Sequence, residues 1–516
     1  MNTQSPTERK AFAYKALVMH MKTKQILTLL LAALMTTGAL ASCGGDDTAA
    51  VDTADTASAT AAETENPDPF AALDFGGEKI HFYVNANDYY GSGSSNYLIK
   101  HDEDTTGDIV NEAVYKRNTF VEELLNIEMV FEDCDYAYSE ITEPLTNTIA
   151  AGDDIYDVVV HDLMPMANMS VSGYFMNVVD GKYFDFTQDY WYDDYMADLS
   201  FASTEKNYLL AGDFFLDIIR SAHALYVNKE LFLEYYESTE ELYDHVNNMT
   251  WTQEVFQSYI KDVYQDVNGD GKADDGDIYG YGYVGKWGSA FPWISSSNIQ
   301  HLAYESDGAP YFAFNNERSV KLLERLNDIF YDTSAHDYVG VDTNTNAFMS
   351  GTVLFGGYQR IASFEIFRDM ETEIGIIPYP MFDEAQGEYV TSTHDITTIG
   401  VIPITCNKLD TVSAVLEVLA RETYNTVMPA YYETALKVKY SRDDQSSQML
   451  DIIRAGLGKS FPLAYNSYCD YFPMSATFAS PLGSHKTDFV SFYEKGEKAA
   501  QAKLDALWAA FSSIEQ

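Results

Sequence analysis

Between residues 208 and 232 the chain reads YLLAGDFFLDIIRSAHALYVNKELF, a mostly apolar and aromatic run that carries Asp213, Asp217, Arg220 and His223 within it. Most of such a run must be buried, and buried charges are costly unless they are paired or set against a polar ligand. At Asn228 the spacing changes from strand-like to helix-like, so a strand and a following helix are predicted here. Upstream, the pattern predicts a strand over 79–84. Asp108 then caps a helix whose Val110, Ala113, Val121, Leu124 and Leu125 share one face. A strand over 128–131, a helix ending over 144–150 and a short buried strand over 157–160 follow. This alternation implies a mainly parallel sheet with helices on its faces.

Downstream the pattern stays mixed. Thr250 with Gln253 reads as a capping box opening a helix through Tyr264, and 278–284 reads as a strand. Asn315 starts a helix with Val320, Leu323 and Leu326 on one face. Strands are expected over 351–358, where Gly356-Gly357 precede Tyr358, over 374–377, closed by Pro378 and Pro380, and over 397–404. From Asp410 onward the chain reads as helical and ends in an amphipathic helix over 489–511, with no internal repeat.

The N-terminus changes the picture. Lys22 and Lys24 precede an apolar run over 26–40 that closes in small residues, the pattern of a secretory signal starting at Met21. Leu40-Ala41-Ser42-Cys43-Gly44 has the form of a bacterial lipobox, so 21–43 is expected to be a lipoprotein signal and Cys43 the lipidated first residue of the mature chain. Residues 44–70, rich in Asp, Ala, Thr and Glu, read as a disordered tether. Cys134, Cys406 and Cys469 are too few and too widely spaced for a disulfide framework or a metal pattern.

The 79 acidic against 32 basic residues give a net charge of −47, which argues against nucleic acid or an anionic membrane face as partner. The 39 tyrosines suit surfaces that stack on sugars or other polar ligands, although many belong to a core. The sharpest motif is Asp266-Val267-Asn268-Gly269-Asp270-Gly271-Lys272-Ala273-Asp274-Asp275-Gly276-Asp277. Side-chain oxygens of Asp266, Asn268, Asp270, Asp274 and Asp277 fall at loop positions 1, 3, 5, 9 and 12. Gly271 takes the sharp turn, and Lys272 can offer its carbonyl at position 7. This is the spacing of a loop that wraps a structural Ca2+, departing from it in the shorter Asp at position 12 and in the strand that follows. A plain Asn/Asp/Gly turn is the other reading.

The lipobox, Tyr156-Asp157-Val158-Val159-Val160, Tyr226-Val227-Asn228-Lys229-Glu230-Leu231 and Phe348-Met349-Ser350-Gly351-Thr352-Val353 together resemble the extracellular solute-binding proteins of carbohydrate ABC transporters, the maltose-binding type. The resemblance implies a type II, periplasmic-binding-protein-like α/β fold with two discontinuous lobes, placed at 71–218 with 341–385 and at 219–340 with 386–516. Three crossings are expected near 212–220, 336–342 and 383–391, with Asp213 and Arg220 paired across the hinge. It further implies a monomeric receptor, anchored outside the cytoplasm through Cys43, that hands a carbohydrate to an ABC permease.

The same resemblance points to site residues. Asp162, after the strand 158–160, stands where the family's Asp bonds sugar hydroxyls, although a cap or turn role accounts for it equally well. Tyr358 stands where the family places a ring under the sugar. Trp287, Phe291 and Trp293 read as an aromatic loop of the opposite lobe, with a core position open for Trp293. Arg360, Asp395 and Tyr89 are further candidates. Gly-x-Ser-x-Gly, Walker, dinucleotide-binding and His-Glu-x-x-His motifs are all missing from the sequence, so no catalytic residues are assigned. A receptor for a peptide or a phosphorylated metabolite, and a secreted carbohydrate-active hydrolase, are the alternatives.

Overall fold

Apolar strand segments laid side by side in two sheets organise the computed structural model, which describes residues 68–87, 99–100, 108–367, 370–437 and 444–515. The leader with Cys43, the acidic segment as far as residue 67, and Tyr89 lie outside the described residues. In chain order the strands are β1 (Glu78–Asn85), β2 (Ile127–Cys134), β3 (Val158–Asp162), β4 (His223–Asn228), β5 (Tyr279–Val284), β6 (Leu302–Tyr304), β7 (Pro310–Phe312), β8 (Ala335–Tyr338), β9 (Val353–Arg360), β10 (Ile374–Ile377) and β11 (Thr398–Val401).

The first sheet has the order β11-β3-β1-β2, with β1 parallel to both β2 and β3 and β11 antiparallel at the edge. Every residue of β3 is buried, as a continuous Val run demands when both faces of a strand are covered. The helix Ile109–Leu125 starts where expected, because the Asp108 carboxylate accepts from the amides of Val110 and Asn111 at 2.8 and 2.9 Å. It ends at Asn126, whose φ of 50° breaks the helical path.

The second sheet has the order β10-β4-β9-β5-β8, with β9 parallel to β5 and antiparallel to β4. Asn228 closes the buried strand β4 and caps the helix Lys229–Tyr235 by accepting from Leu231 N–H at 3.0 Å. This is the switch from strand to helix that the sequence shows. The strands of 341–385 are not in the first sheet as expected. β9 and β10 lie in the second sheet on either side of β4, while β11 closes the edge of the first. The segment 336–342 is likewise no crossing. The chain turns at Gly340, whose φ is 97°, and the helix Val341–Met349 leads straight back into β9 of the same sheet.

Two other local expectations shift. The helix Gln253–Ile260 is capped by Thr252, which accepts from Val255 N–H at 3.3 Å, rather than by Thr250. Residues 287–293 form no loop. They lie in the helix Lys286–Ser296, which tolerates Pro292 inside it.

The chain passes between the sheets twice in adjacent segments. The helix Asp217–Ser221 leads into β4, and the return segment 378–397 leads from β10 into β11. These passes pair with each other. Ala222 bridges Thr393, His223 N–H donates to Ser392 O at 2.9 Å, and His394 N–H donates to Ser221 O at 2.9 Å. The C-terminal third then packs on both halves. The helix Leu409–Glu422 lies against Ile109–Leu125 of the first, and Asp444–Ala455 against β10 of the second. Among the described residues no helix is long and apolar enough to cross a membrane.

Candidate functional site

The charges inside the central run find partners that sequence proximity does not give. Arg220 is fully buried and holds Glu365 with two parallel hydrogen bonds, Nε to Oε1 at 3.1 Å and Nη2 to Oε2 at 3.0 Å. Its Nη1 lies 3.6 Å from Asp217, whose carboxylate accepts from the amide and hydroxyl of Thr398 in β11 at 2.9 and 2.8 Å. Glu365 also accepts from the Tyr431 hydroxyl at 2.8 Å. The expected Asp213–Arg220 pair does not form. Asp213 instead accepts from Arg454 at 2.6 Å, 241 residues along the chain. Burial pushes the Asp213 carboxyl up, against the pull of Arg454 and the Tyr192 hydroxyl. Two buried charge groups therefore stand at the hinge, Asp217–Arg220–Glu365 and Asp213–Arg454.

Beside them, the ends of β4 and β9 and the return segment gather a further polar cluster. Tyr358 stands at the end of β9 with a φ of 58°, a left-handed backbone that is uncommon for a bulky residue and a mark of sites where surroundings hold strain. Those surroundings are visible. A Cβ at the preceding Gly357 would come within 2.3 Å of the Tyr281 ring, and one at Gly288 within 3.0 Å of the Tyr358 ring itself. Tyr358 N–H donates to the Tyr379 hydroxyl oxygen at 3.1 Å, and its own hydroxyl meets His394 Nε2 at 3.1 Å. His394 Nδ1 in turn lies 2.7 Å from Asp395. The His223 ring sits 5.8 Å from that of His394 and 6.4 Å from that of Tyr358, centre to centre.

Electrostatics keep this cluster in one protonation state. Burial pushes the Tyr358 phenol up to about 12. Burial also holds both histidines below their ordinary range, His223 farther, with the Arg360 charge adding to the effect. Burial alone would raise the Asp395 carboxyl, but its bond to His394 holds it low. Near neutral pH the cluster is thus a carboxylate, two neutral imidazoles and a phenol.

The sequence-predicted residues divide accordingly. Tyr358, Arg360 and Asp395 meet in this cluster. Trp287 opens the neighbouring helix with its side chain 47% exposed, its ring 4.7 Å from Phe291. Tyr358 and Trp287 therefore belong to the same half and do not face each other from opposite halves as expected. Trp293 is core. It is fully buried against Phe256, and its indole N–H donates to the Tyr281 hydroxyl at 2.9 Å. Asp162 ends β3 on the other half, enclosed and accepting from Asn85 Nδ2 at 3.1 Å. Its strand partner is Thr398, and Thr397 N–H donates to His394 O at 3.1 Å, so one short turn links the two polar groups. Sequence reasoning marked His223 only as a polar residue inside the central apolar run, and it missed His394, Asn85 and Tyr379. A polar residue directly after a buried strand, as in Val84-Asn85, is the one signal that points to any of them.

The loop Asp266–Asp277 turns sharply at Gly269 and Gly271, with φ of 72° and 76°. Its carboxylates close on backbone amides, Asp266 accepting from Gly269 and Gly271 at 2.7 and 2.8 Å and Asp277 from Val267 at 3.0 Å. Among the described residues no group of three or more His, Cys, Asp or Glu side chains is arranged to hold a metal ion. The loop does keep its five side-chain oxygen donors within one turn of chain, the donor chemistry that a hard cation takes.

No protein-family model matches the sequence, and comparison with curated proteins likewise finds no match. Solved structures do match. An uncharacterised protein from Listeria monocytogenes is 11% identical, with a TM-score of 0.54 over 83% of this chain and 100% of its own. The cyclic α-maltosyl-1,6-maltose binding protein from Arthrobacter globiformis is 14% identical, with a TM-score of 0.52 over 84% and 100%. A cyclo/maltodextrin-binding protein complexed with maltotetraose is 12% identical, with a TM-score of 0.50 over 85% and 99%. The chain therefore has the two-lobed α/β fold of type II periplasmic binding proteins, in common with these sugar-binding proteins.

Proposed function

We propose that this protein is an extracytoplasmic receptor that captures a carbohydrate between its two halves and hands it to an ABC importer, without making or breaking a bond. One observation carries the reading. A strained tyrosine near the end of β9, a half-buried acid–histidine pair on the return segment between the halves and an exposed tryptophan at the start of the helix Lys286–Ser296 stand near the sheet ends, where open α/β sheets present ligand sites. The apolar face of a sugar ring packs on Trp287 and Tyr358, and its hydroxyls bond polar groups such as Asp395 and Arg360. The fold shared with two maltose- and maltodextrin-binding proteins supports the same class of ligand. The protein acts as a monomer, and its −47 charge disfavours nucleic acid as a partner. A thermal-shift panel tests the class. Maltotetraose or another neutral sugar should raise the melting temperature, since a ligand bound only by the native state stabilises it. Shifts confined to peptides or phosphorylated compounds would redirect the reading.

Cys43 anchors the receptor through its lipid, on the strength of the ordered signal that ends there. Cys43→Ala should block processing or release the protein from membranes. Membrane-bound, processed protein in that variant would rule the anchor out.

The loop from Asp266 to Asp277 binds Ca2+, with Asp266, Asn268, Asp270, Asp274 and Asp277 giving side-chain oxygens and Lys272 its carbonyl. The ion braces the second half without touching the sugar. Calcium should therefore raise the melting temperature relative to excess chelator, and Asp270→Ala should remove the difference while leaving sugar affinity nearly unchanged. Equal melting in calcium and chelator would count against the site.

A further inference from the structure

Proton bookkeeping in the hinge cluster assigns a direction to each hydrogen bond. The Asp395 carboxylate only accepts, so its 2.7 Å contact puts the proton on His394 Nδ1 and outweighs the longer, 3.4 Å approach of Ile396 N–H to the same atom, which would need a lone pair there. His394 Nε2 is then a bare lone pair, and the 3.1 Å contact requires the Tyr358 hydroxyl to donate into it. The one proton of Tyr358 is thereby used inside the protein, and its oxygen has only lone pairs left to offer. His223 is less constrained: its Nδ1 lies 3.2 Å from the Ser392 carbonyl oxygen, which only accepts, and 3.1 Å from the Ser392 hydroxyl, which can also donate, so these contacts fit either tautomer.

We infer that Asp395 and His394 act as positioning residues that fix Tyr358 as a hydrogen-bond acceptor, so that this part of the site selects a ligand carrying hydroxyl donors. The inference rests on the carbohydrate reading and sharpens it. A free sugar hydroxyl satisfies the Tyr358 oxygen. An ether, a fluorine, a carboxylate or an ionised phosphate brings only lone pairs to the same place and leaves two acceptors facing each other. The ligand class is thus a neutral sugar with an unsubstituted hydroxyl at this point. Phosphorylated and O-alkylated sugars are rejected there.

Two measurements on the folded protein test this. Long-range 15N–1H correlation spectra at pH 7.5, assigned with His394→Gln, should show the His394 ring neutral and carrying the proton on Nδ1. Binding of maltotetraose is then compared with that of its monodeoxyfluoro analogues. One fluorinated position should weaken binding to the parent by about tenfold to a hundredfold, the range expected when a polar group is left unpaired. His394→Phe frees the Tyr358 proton to be donated outward and should shrink that penalty to within about threefold; Tyr358→Phe, which folds around the same ring, should abolish it. An Nε2–H tautomer at His394, or a penalty unchanged in both variants, overturns the inference and leaves the carbohydrate reading standing. The expected tautomer with no maltotetraose binding, and none by any other neutral sugar, would overturn the carbohydrate reading and the inference with it.

Discussion

Arg220→Met should lower the stability of the folded chain by about 3–5 kcal/mol, the largest single effect expected in this molecule. The substitution keeps the side-chain volume but strands two carboxylates. Asp217 is fully buried, and the Glu365 side chain is 14% exposed, so neither regains water when the guanidinium is gone. Asp217 keeps its two bonds from Thr398 and Glu365 keeps one from Tyr431, which softens the loss without supplying a counter-charge. Glu365→Leu added to Arg220→Met removes one stranded charge and should recover part of the loss, because a buried pair replaced by apolar residues of similar volume is often nearly neutral. Urea unfolding measures both: the midpoint should fall in the single variant with an unchanged slope and rise again in the double variant. A single-variant loss below about 1 kcal/mol would mean that the network is solvated and does not tie the hinge.

The second large effect falls on binding. Trp287→Ala should weaken sugar affinity about tenfold to a thousandfold, the cost of deleting an aromatic anchor that a ligand covers. Stability should hardly change, since Trp287 is 47% exposed, its ring lying beside that of Phe291. Tyr358→Ala should cost at least as much affinity but also stability, because that ring fills the space over Gly288 and holds His394. Calorimetric titration with maltotetraose separates the two variants. Parent-like affinity in both, with the fold intact, would remove the rings from the site. Because both rings lie on one half, the opposite half must supply polar contacts. Asn85, Asn87 and Asp162 stand at its strand ends, with Asn87 Nδ2 donating to Asn85 Oδ1 at 2.8 Å.

Much of this fold was legible in the pattern of apolar positions, and the reasons for the misses are physical. β3 and β4 carry uninterrupted apolar runs, Val158–Val160 and Ala224–Val227, closed by polar residues, and such segments have few alternatives to a buried strand. The crossings were harder. Nothing in the residues around Gly340 distinguishes a turn that returns to its own sheet from one that leaves it, so 336–342 was misplaced, and with it the sheet membership of β9 and β10. Trp287, Phe291 and Trp293 read as a loop because Gly and Ser are interspersed among them; the helix accommodates these and Pro292, and the Trp293 indole turns inward onto Tyr281. The site was legible only as single residues. Tyr358 follows from the family resemblance and Arg360 and Asp395 from their sequence neighbours, but the bond from Tyr358 to His394 spans 36 residues and that from Arg220 to Glu365 spans 145. Pairings of that kind are made by topology. Only the sheet order brings them together.

Capture of an unaltered sugar is the claim on which the rest depends, and one titration tests it most directly. The purified chain beginning at residue 68 is titrated with maltotetraose and with a panel of neutral sugars in a calorimeter, and the sugar is then recovered and chromatographed. One molecule should bind per chain, with negative heat-capacity change as apolar surface is covered, and the recovered sugar should be unchanged after prolonged incubation. No binding by any sugar, or recovery of shorter products, would contradict a carbohydrate receptor.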